Sequence, residues 1–118
     1  MIDYSKELVK SLNTILPTYY EMTLTAKTAT PCISWLELNN YVITESQAKD
    51  TLGYSVISYQ VKVWSNRVAD LYNYALQIDE VLRPLGFKRI SSGELYDRQS
   101  TMMQKILTYE AIASENYN

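Results

Sequence analysis

The chain has 118 residues, of which 47% are apolar and 20% are charged, and it contains no histidine. This length predicts one domain with one hydrophobic core and is too short for two. The absence of histidine excludes histidine-based catalytic triads and histidine metal sites. The charges sum to 11 minus 13, a net of −2, which argues against a protein that coats nucleic acid with a basic surface. The composition favours a binding or assembly protein over an enzyme.

The sequence carries no sign of export or membrane insertion. Residues 1–7 lack the basic and then apolar pattern of a signal peptide. No stretch approaches the ~18 consecutive apolar residues of a membrane span. The single cysteine, Cys32, cannot form an intrachain disulfide, which fits a reducing compartment. We therefore expect a protein made in a cytoplasm, with no membrane partner.

The N-terminal segment is predicted to be a helix that Pro17 stops after Leu16. Either Asp3 or Ser5 is placed to cap its start. Its apolar residues recur with helical spacing on one face and are Leu8, Val9, Leu12, Ile15 and Leu16.

Three strands are predicted next, over residues 18–24, 32–44 and 54–64. The small and polar residues 26–31 form a loop between the first two strands. In the second strand a bulge is expected at Asn39-Asn40. The polar segment 45–53 is predicted to be a long hairpin loop. In the third strand the residues expected on the apolar face are Tyr59, Val61 and Val63.

The strongest local pattern follows the third strand and predicts a second helix. Ser65 or Asn66 caps it, and Pro84 and Gly86 end it. Its apolar residues recur every three or four positions and are Val68, Leu71, Ala75, Ile78, Leu82 and Leu85.

Two strands close the chain, over residues 87–90 and 102–113. The turn-rich stretch Ser91-Ser92-Gly93 and then residues 94–101 lie between them. Lys105 interrupts the apolar face of the last strand. The order α-β-β-β-α-β-β predicts an α+β fold, with one mostly antiparallel sheet and two helices packed on one face. We expect residues 1–118 to form a single domain.

No catalytic, cofactor or metal site can be assigned from the residues. Glycine occurs only at positions 53, 86 and 93, so neither a P-loop nor a dinucleotide-binding fingerprint is present. One cysteine without histidine cannot make a zinc site. Without a histidine base, Cys32 is interpreted as a small buried packing residue rather than a nucleophile.

The candidate functional residues are therefore contact residues. Trp64 falls on the polar face of its strand, so it is either a contact in an oligomer or is packed under the following loop. Long loops in small domains tend to be functional, which singles out 45–53 and 91–101. Lys88-Arg89 and Arg98 form the densest basic group, which is too small to bind nucleic acid on its own. Charge that keeps an edge strand from aggregating explains it equally well. The candidate interface residues are Trp35, Trp64, Glu45, Lys49, Asp50, Glu94, Tyr96, Asp97 and Arg98.

Four segments together resemble the tail terminator (tail completion) proteins of long-tailed bacteriophages. They are the strand and helix start at 57–72, the helical stretch 69–87, the pattern R-x-x-x-G-E-L-Y-D at 89–97, and the strand at 105–113. Chain length and element order over nearly all 118 residues match that family too. The high tyrosine content, 11 residues, is a departure that the family does not require.

The resemblance implies a non-enzymatic ring, commonly a hexamer, that binds the end of the tail tube. Such a ring stops polymerisation of the major tail tube protein and offers a surface to the head connector protein. DNA is only passing cargo, and a mildly acidic subunit repels its phosphates. The expected location is the virion tail, after assembly in the bacterial cytoplasm. A cyclic ring also needs two different surfaces on each subunit.

Two other interpretations stay open from the sequence. A head-closure or head-tail adaptor protein is also non-enzymatic but binds the portal instead of the tube. A small host ligand-binding α+β domain would form no ring. In the terminator interpretation, 45–53 is a mobile arm that orders on the tube, with several weak arms acting together.

Overall fold

The computed structural model describes residues 3–43, 54–98 and 101–114, which contain two α-helices and one five-stranded sheet. The elements are α1 (Ser5–Leu12), β1 (Thr18–Tyr20), β2 (Cys32–Ile43), β3 (Tyr54–Ser65), α2 (Val68–Leu82), β4 (Lys88–Asp97) and β5 (Met102–Ser114). The strand order is β1-β2-β3-β5-β4, with β1 parallel to β2 and every other pair antiparallel. The predicted α+β fold and element order are confirmed.

Both helices pack on one face of the sheet. Leu8 and Leu12 of α1 are fully buried, in one cluster with α2 and the strand residues. The buried residues of α2 are Leu71, Ala75, Ile78 and Leu82, and the strand residues include Tyr59, Val61, Val63 and Leu107. Alternation along the strands places these side chains on one face, which we call the covered face, and leaves the other as the open face.

The apolar stripe predicted for α2 is confirmed in its middle and wrong at its ends. Val68 is 54% exposed and Leu85 is 41% exposed. Val68 is the first residue of α2, and Leu85 lies in the 3₁₀ turn Arg83–Leu85 that follows the helix. Neither has helical turns on both sides to hold it against the sheet.

The N-cap residues are Tyr4 and Arg67 rather than the predicted ones, and neither makes a side-chain capping bond. Nearby polar side chains support the helix starts instead. Asp3 Oδ1 accepts the Ser5 amide at 2.8 Å, which supports the start of α1. Ser65 Oγ accepts the Arg67 amide and donates to Asp70 Oδ2, both at 3.1 Å. After α2, Gly86 adopts φ +92, a left-handed conformation that suits glycine.

The prediction that α1 extends to Leu16 is wrong. The helix ends at Leu12, and the amides of Ile15 and Leu16 both donate to the Leu12 carbonyl in a turn. Ile15 and Leu16 are nevertheless partly buried against the core. The apolar face was therefore correctly identified, although the helical backbone stops a turn early.

The first strand was predicted to reach Leu24 and ends at Tyr20 instead, followed by the 3₁₀ helix Glu21–Thr23. Thr23 Oγ1 donates to the Tyr20 carbonyl at 2.7 Å, a local bond that competes with strand pairing. Glu21 Oε1 lies 3.1 Å from Lys62 Nζ, which draws the chain over the open face.

The largest correction concerns β4. The turn predicted at 91–93 does not exist, because Ser91, Ser92 and Gly93 continue the strand opposite residues 108–106 of β5. Residues 94–97, also predicted to lie between strands, pair with residues 105–102. Long-range pairing overrides the local turn preference of these residues. The register shifts between Arg89 and Ser91, which leaves Ile90 as the extra residue of a bulge.

The hairpin of β2 and β3 also differs in detail from the prediction. Its register shift lies between Glu37 and Asn39, so Leu38 is the extra residue rather than Asn39-Asn40. Pairing continues to Ile43 opposite Tyr54. The predicted loop 45–53 lies outside the described residues.

Replacing Leu71 with Asp should prevent soluble expression. Leu71 is 1% exposed in the core, and an unpaired buried carboxylate costs several kcal/mol out of a typical stability of about 5–15 kcal/mol. Asn73→Asp adds the same charge on an exposed position of α2 and should leave the protein soluble. Soluble yield and far-UV circular dichroism measure both variants. A folded Leu71→Asp protein would contradict the packing of α2.

Candidate interaction surfaces

Trp35 lies on the covered face at the margin of the core. Its ring contacts Tyr20 and Tyr59 edge to face, with centroid distances of 5.1 and 6.0 Å. Such aromatic pairs favour this edge-to-face geometry. Trp35 therefore anchors the short edge strand β1 through Tyr20, which is itself exposed.

Trp64 lies on the open face, where its Nε1 donates to Ser34 Oγ at 2.8 Å and Lys62 Nζ is 5.7 Å from the ring centroid. Beside it is a cavity of about 350 Å³ lined by Leu24, Thr25, Ala26, Thr28, Thr30, Cys32, Trp64 and Met102. The loop that packs near Trp64 thus precedes β2, whereas the sequence suggested the loop after Trp64. The indole is half-buried and still borders open space.

Cys32 also borders this cavity but is 1% exposed. Burial raises the pKa of the Cys32 thiol, which keeps it protonated and weakly nucleophilic. This environment supports the interpretation of Cys32 as a packing residue.

Glu94 takes part in a small polar cluster under the start of α2, which the sequence did not indicate. Lys105 Nζ lies 3.0 Å from Glu94 Oε1 and 4.5 Å from the centre of the Tyr72 ring. Hydrogen bonds from Lys105 and from Tyr72 lower the pKa of Glu94, so it stays charged at neutral pH. The cluster explains how Lys105 is tolerated on the covered face: its charge is paired at the sheet edge.

A second polar network joins α2 to the sheet near the opposite end of the helix. The Tyr109 hydroxyl donates to Asp79 Oδ1, and Arg89 Nε lies 3.6 Å from Asp79 Oδ2. Burial and this hydrogen bond raise the pKa of Tyr109. A cavity of about 340 Å³ beside it is lined by Asp79, Arg83, Phe87, Lys88, Arg89 and Tyr109. Both oxygens of the Asp79 carboxylate are bonded to residues of the same chain, so we interpret this network as structural.

The other candidate residues are spread along β4 or lie beyond the described chain. Tyr96 is exposed, Asp97 ends β4, and exposed Arg98 follows it. Lys88 begins β4, so the basic residues Lys88 and Arg98 stand at opposite ends of a strand roughly 30 Å long. Glu45, Lys49 and Asp50 lie outside the described residues.

Exposed apolar side chains define three surfaces that the sequence did not separate. The first, the α2 ridge, consists of Val68, Tyr72 and Leu76. The second, the hairpin patch, lies on the open face and consists of Tyr41, Tyr54 and Ile112. The third is the β4 edge, with Ile90, Leu95 and Tyr96. Clustered exposed apolar residues are typical of contact surfaces.

No helix within the described ranges is long and apolar enough to cross a membrane. In the same part of the chain, no three Cys, Asp or Glu side chains are grouped so that they could hold a metal ion.

No protein-family model matches the sequence, and no curated protein sequence matches it. Among solved structures, a chain from "Virion of native gene transfer agent (GTA) particle" superposes with a TM-score of 0.62 at 13% identity. The match covers 91% of this chain and 84% of that chain. The two chains share a fold. The likeness thus extends over nearly the whole molecule, helices and sheet together.

Glu94→Gln should lower the melting temperature at about pH 7, because Lys105 then loses its counter-charge. Since the folded-state pKa of Glu94 is lowered, its contribution is present above the ordinary carboxyl pKa and is lost as pH falls through the lowered value. The difference from the unmodified protein should therefore shrink as the pH falls through the lowered pKa of Glu94. Glu80→Gln, at an exposed position of α2, is the matched control for thermal melts across pH. An equal effect of both substitutions would contradict the cluster.

Proposed function

We propose that this protein is a non-enzymatic virion assembly protein, a tail terminator that forms a ring, with six subunits expected, on the end of a tail tube. The observation that carries the proposal is the fold shared with a chain of a gene transfer agent virion over 91% of this chain. The resemblance of residues 57–72 and 89–97 to tail terminators supports the same role.

The exposed apolar surfaces support a ring. A cyclic ring is built from heterologous contacts, in which one surface of a subunit meets a different surface of the next. The α2 ridge lies on the helix side of the molecule, and the hairpin patch lies on the open face. Residues four apart form a ridge suited to packing into a groove. We assign these two surfaces to the contact between neighbouring subunits.

The charge of the subunit is compatible with a ring around DNA. The chain has a net charge of −2, so a lumen formed by several copies repels phosphates rather than retaining them. The partners in this proposal are further copies of the chain, the major tail tube protein and a head connector protein. DNA only passes through.

Segment 45–53 is proposed as the arm that contacts the tube. It joins the ends of β2 and β3 beyond the Ile43–Tyr54 pair, at the same end of the sheet as the hairpin patch. Its charged residues Glu45, Lys49 and Asp50 suit polar contacts with a tube subunit. Several such arms on one ring bind a tube end more tightly than one arm does.

A tube-extension assay tests this function. Tubes assembled from the cognate major tail tube protein are incubated with the protein, then supplied with fresh tube subunits, and their lengths are measured by electron microscopy. The unmodified protein should block extension. Deletion of residues 46–51, bridged with glycine, should leave a folded protein that no longer blocks it.

A second variant, in which six glycine and serine residues replace residues 46–51, keeps the loop length. It distinguishes the effect of loop length from the effect of the side chains. Unimpaired blocking by the deletion variant would show that the arm is dispensable. Failure of the unmodified protein to block extension, together with binding to a portal ring, would instead favour a head-tail adaptor.

A further inference from the structure

The β4 strand is an edge of the sheet, with no strand beyond it among the described residues. It lies last in the order β1-β2-β3-β5-β4, and residues 88–96 are exposed. No proline interrupts it, and Ile90, Leu95 and Tyr96 are each more than half exposed. Edge strands are usually kept from pairing by shortness, charge, proline, bulges or a covering segment. The β4 strand has charged residues and a bulge, yet it keeps residues 88–96 exposed.

We propose that β4 pairs in antiparallel fashion with β4 of a second copy, about a two-fold axis through Gly93. The inference is independent of the tail terminator proposal, because it depends only on the strand's own sequence and register. Two five-stranded sheets would then continue into one across the axis. The contact joins chains in pairs, so it is distinct from the heterologous contact of a ring.

The bulge at Ile90 determines the register of this pairing. With Gly93 opposite Gly93, Ser92 stands opposite Glu94, and Ser91 stands opposite Leu95. Beyond the extra residue Ile90 in each strand, Arg89 stands opposite Tyr96 and Lys88 opposite Asp97. Nine of the ten residues of β4, all but Ile90, therefore have a facing partner.

At each of these positions, the two facing residues project from the same face of the joined sheet. Arg89 reaches Asp79 of α2, and Tyr96 is paired with Met103 of the covered face, so both project toward the helices. Ser91 and Leu95 both stand on the open face, opposite Thr108 and Gln104. A slip by one residue would place each pair on different faces.

The charges also complement one another in this register. Lys88 stands opposite the acidic residue Asp97, and Arg89 stands opposite the aromatic residue Tyr96, and both are favourable cross-strand combinations. Moving the axis to Glu94 would instead place that carboxylate opposite itself. At Gly93 no atom lies within 4 Å of the position a Cβ would take, so the strand at the axis is unobstructed.

Engineered cysteines test the register directly. In a Cys32→Ser background, Gly93→Cys should form a disulfide-linked dimer under mild oxidation. Facing residues have Cα atoms about 4.5–5.5 Å apart, within the range for a disulfide. Ser91→Cys is the matched control, since it is exposed on the same face but its two copies would lie about 13 Å apart, four positions along the strand. It should stay monomeric on a non-reducing gel.

Charge exchange provides a second, independent measurement. Lys88→Asp should weaken the dimer roughly tenfold, and adding Asp97→Lys should restore it, as measured by sedimentation equilibrium. A mass of one chain, 13.6 kDa, at all concentrations would overturn the proposal. Equal cross-linking of the two cysteine variants, or none in either, would also overturn it.

Discussion

One-sided packing is the constraint on which the rest of this structure depends. The five-stranded sheet has its helices on a single face, where α2 buries Leu71, Ile78 and Leu82 against β3 and β5. Within residues 3–43, 54–98 and 101–114 there is no further α-helix to cover the other face. In the described part of the chain, the hairpin patch on the open face and the β4 edge consequently remain exposed.

The polar groups near the core serve the same architecture. Glu94 pairs with Lys105 beneath Tyr72, and Asp79 is held between Tyr109 and Arg89. Each network ties α2 to the last two strands, and in each the carboxylate is already bonded to its neighbours. These groups fix the helix on the sheet, and the exposed apolar surfaces remain as the part of the molecule that can make contacts.

The sequence was most informative where local pattern and tertiary packing agree. The α2 stripe and the alternation of Tyr59, Val61 and Val63 predicted the covered face. Burial there follows from the local spacing of apolar residues along the helix and the strand. The Ser91-Ser92-Gly93 stretch misled because its strand conformation is imposed by β5, a partner distant in sequence. Burial of the Lys105 stem and the register shift at Ile90 depend in the same way on residues that meet only in the folded chain.

The candidate surfaces also differ in how much of them local sequence pattern could reveal. Both tryptophans have partners within the chain, since Trp35 packs at the core margin and Trp64 bonds to Ser34. Their role as interface residues stays a prediction. The α2 ridge and the hairpin patch use ordinary residues such as Leu76 and Ile112, which only their exposure distinguishes. Periodicity alone does not reveal an apolar residue that the fold leaves uncovered.

Thiol cross-linking of the protein bound to tube ends tests the proposed ring most directly. In that proposal, the α2 ridge of one subunit contacts the hairpin patch of the next. Leu76→Cys and Ile112→Cys are introduced singly and together in a Cys32→Ser background, bound to tube ends, and treated with a short bismaleimide. Because the proposed contact is heterologous, we expect the double variant to give a ladder of bands that ends at the ring size. Each single variant should run as a monomer. A double variant without a ladder, or single variants that cross-link as readily, would contradict it.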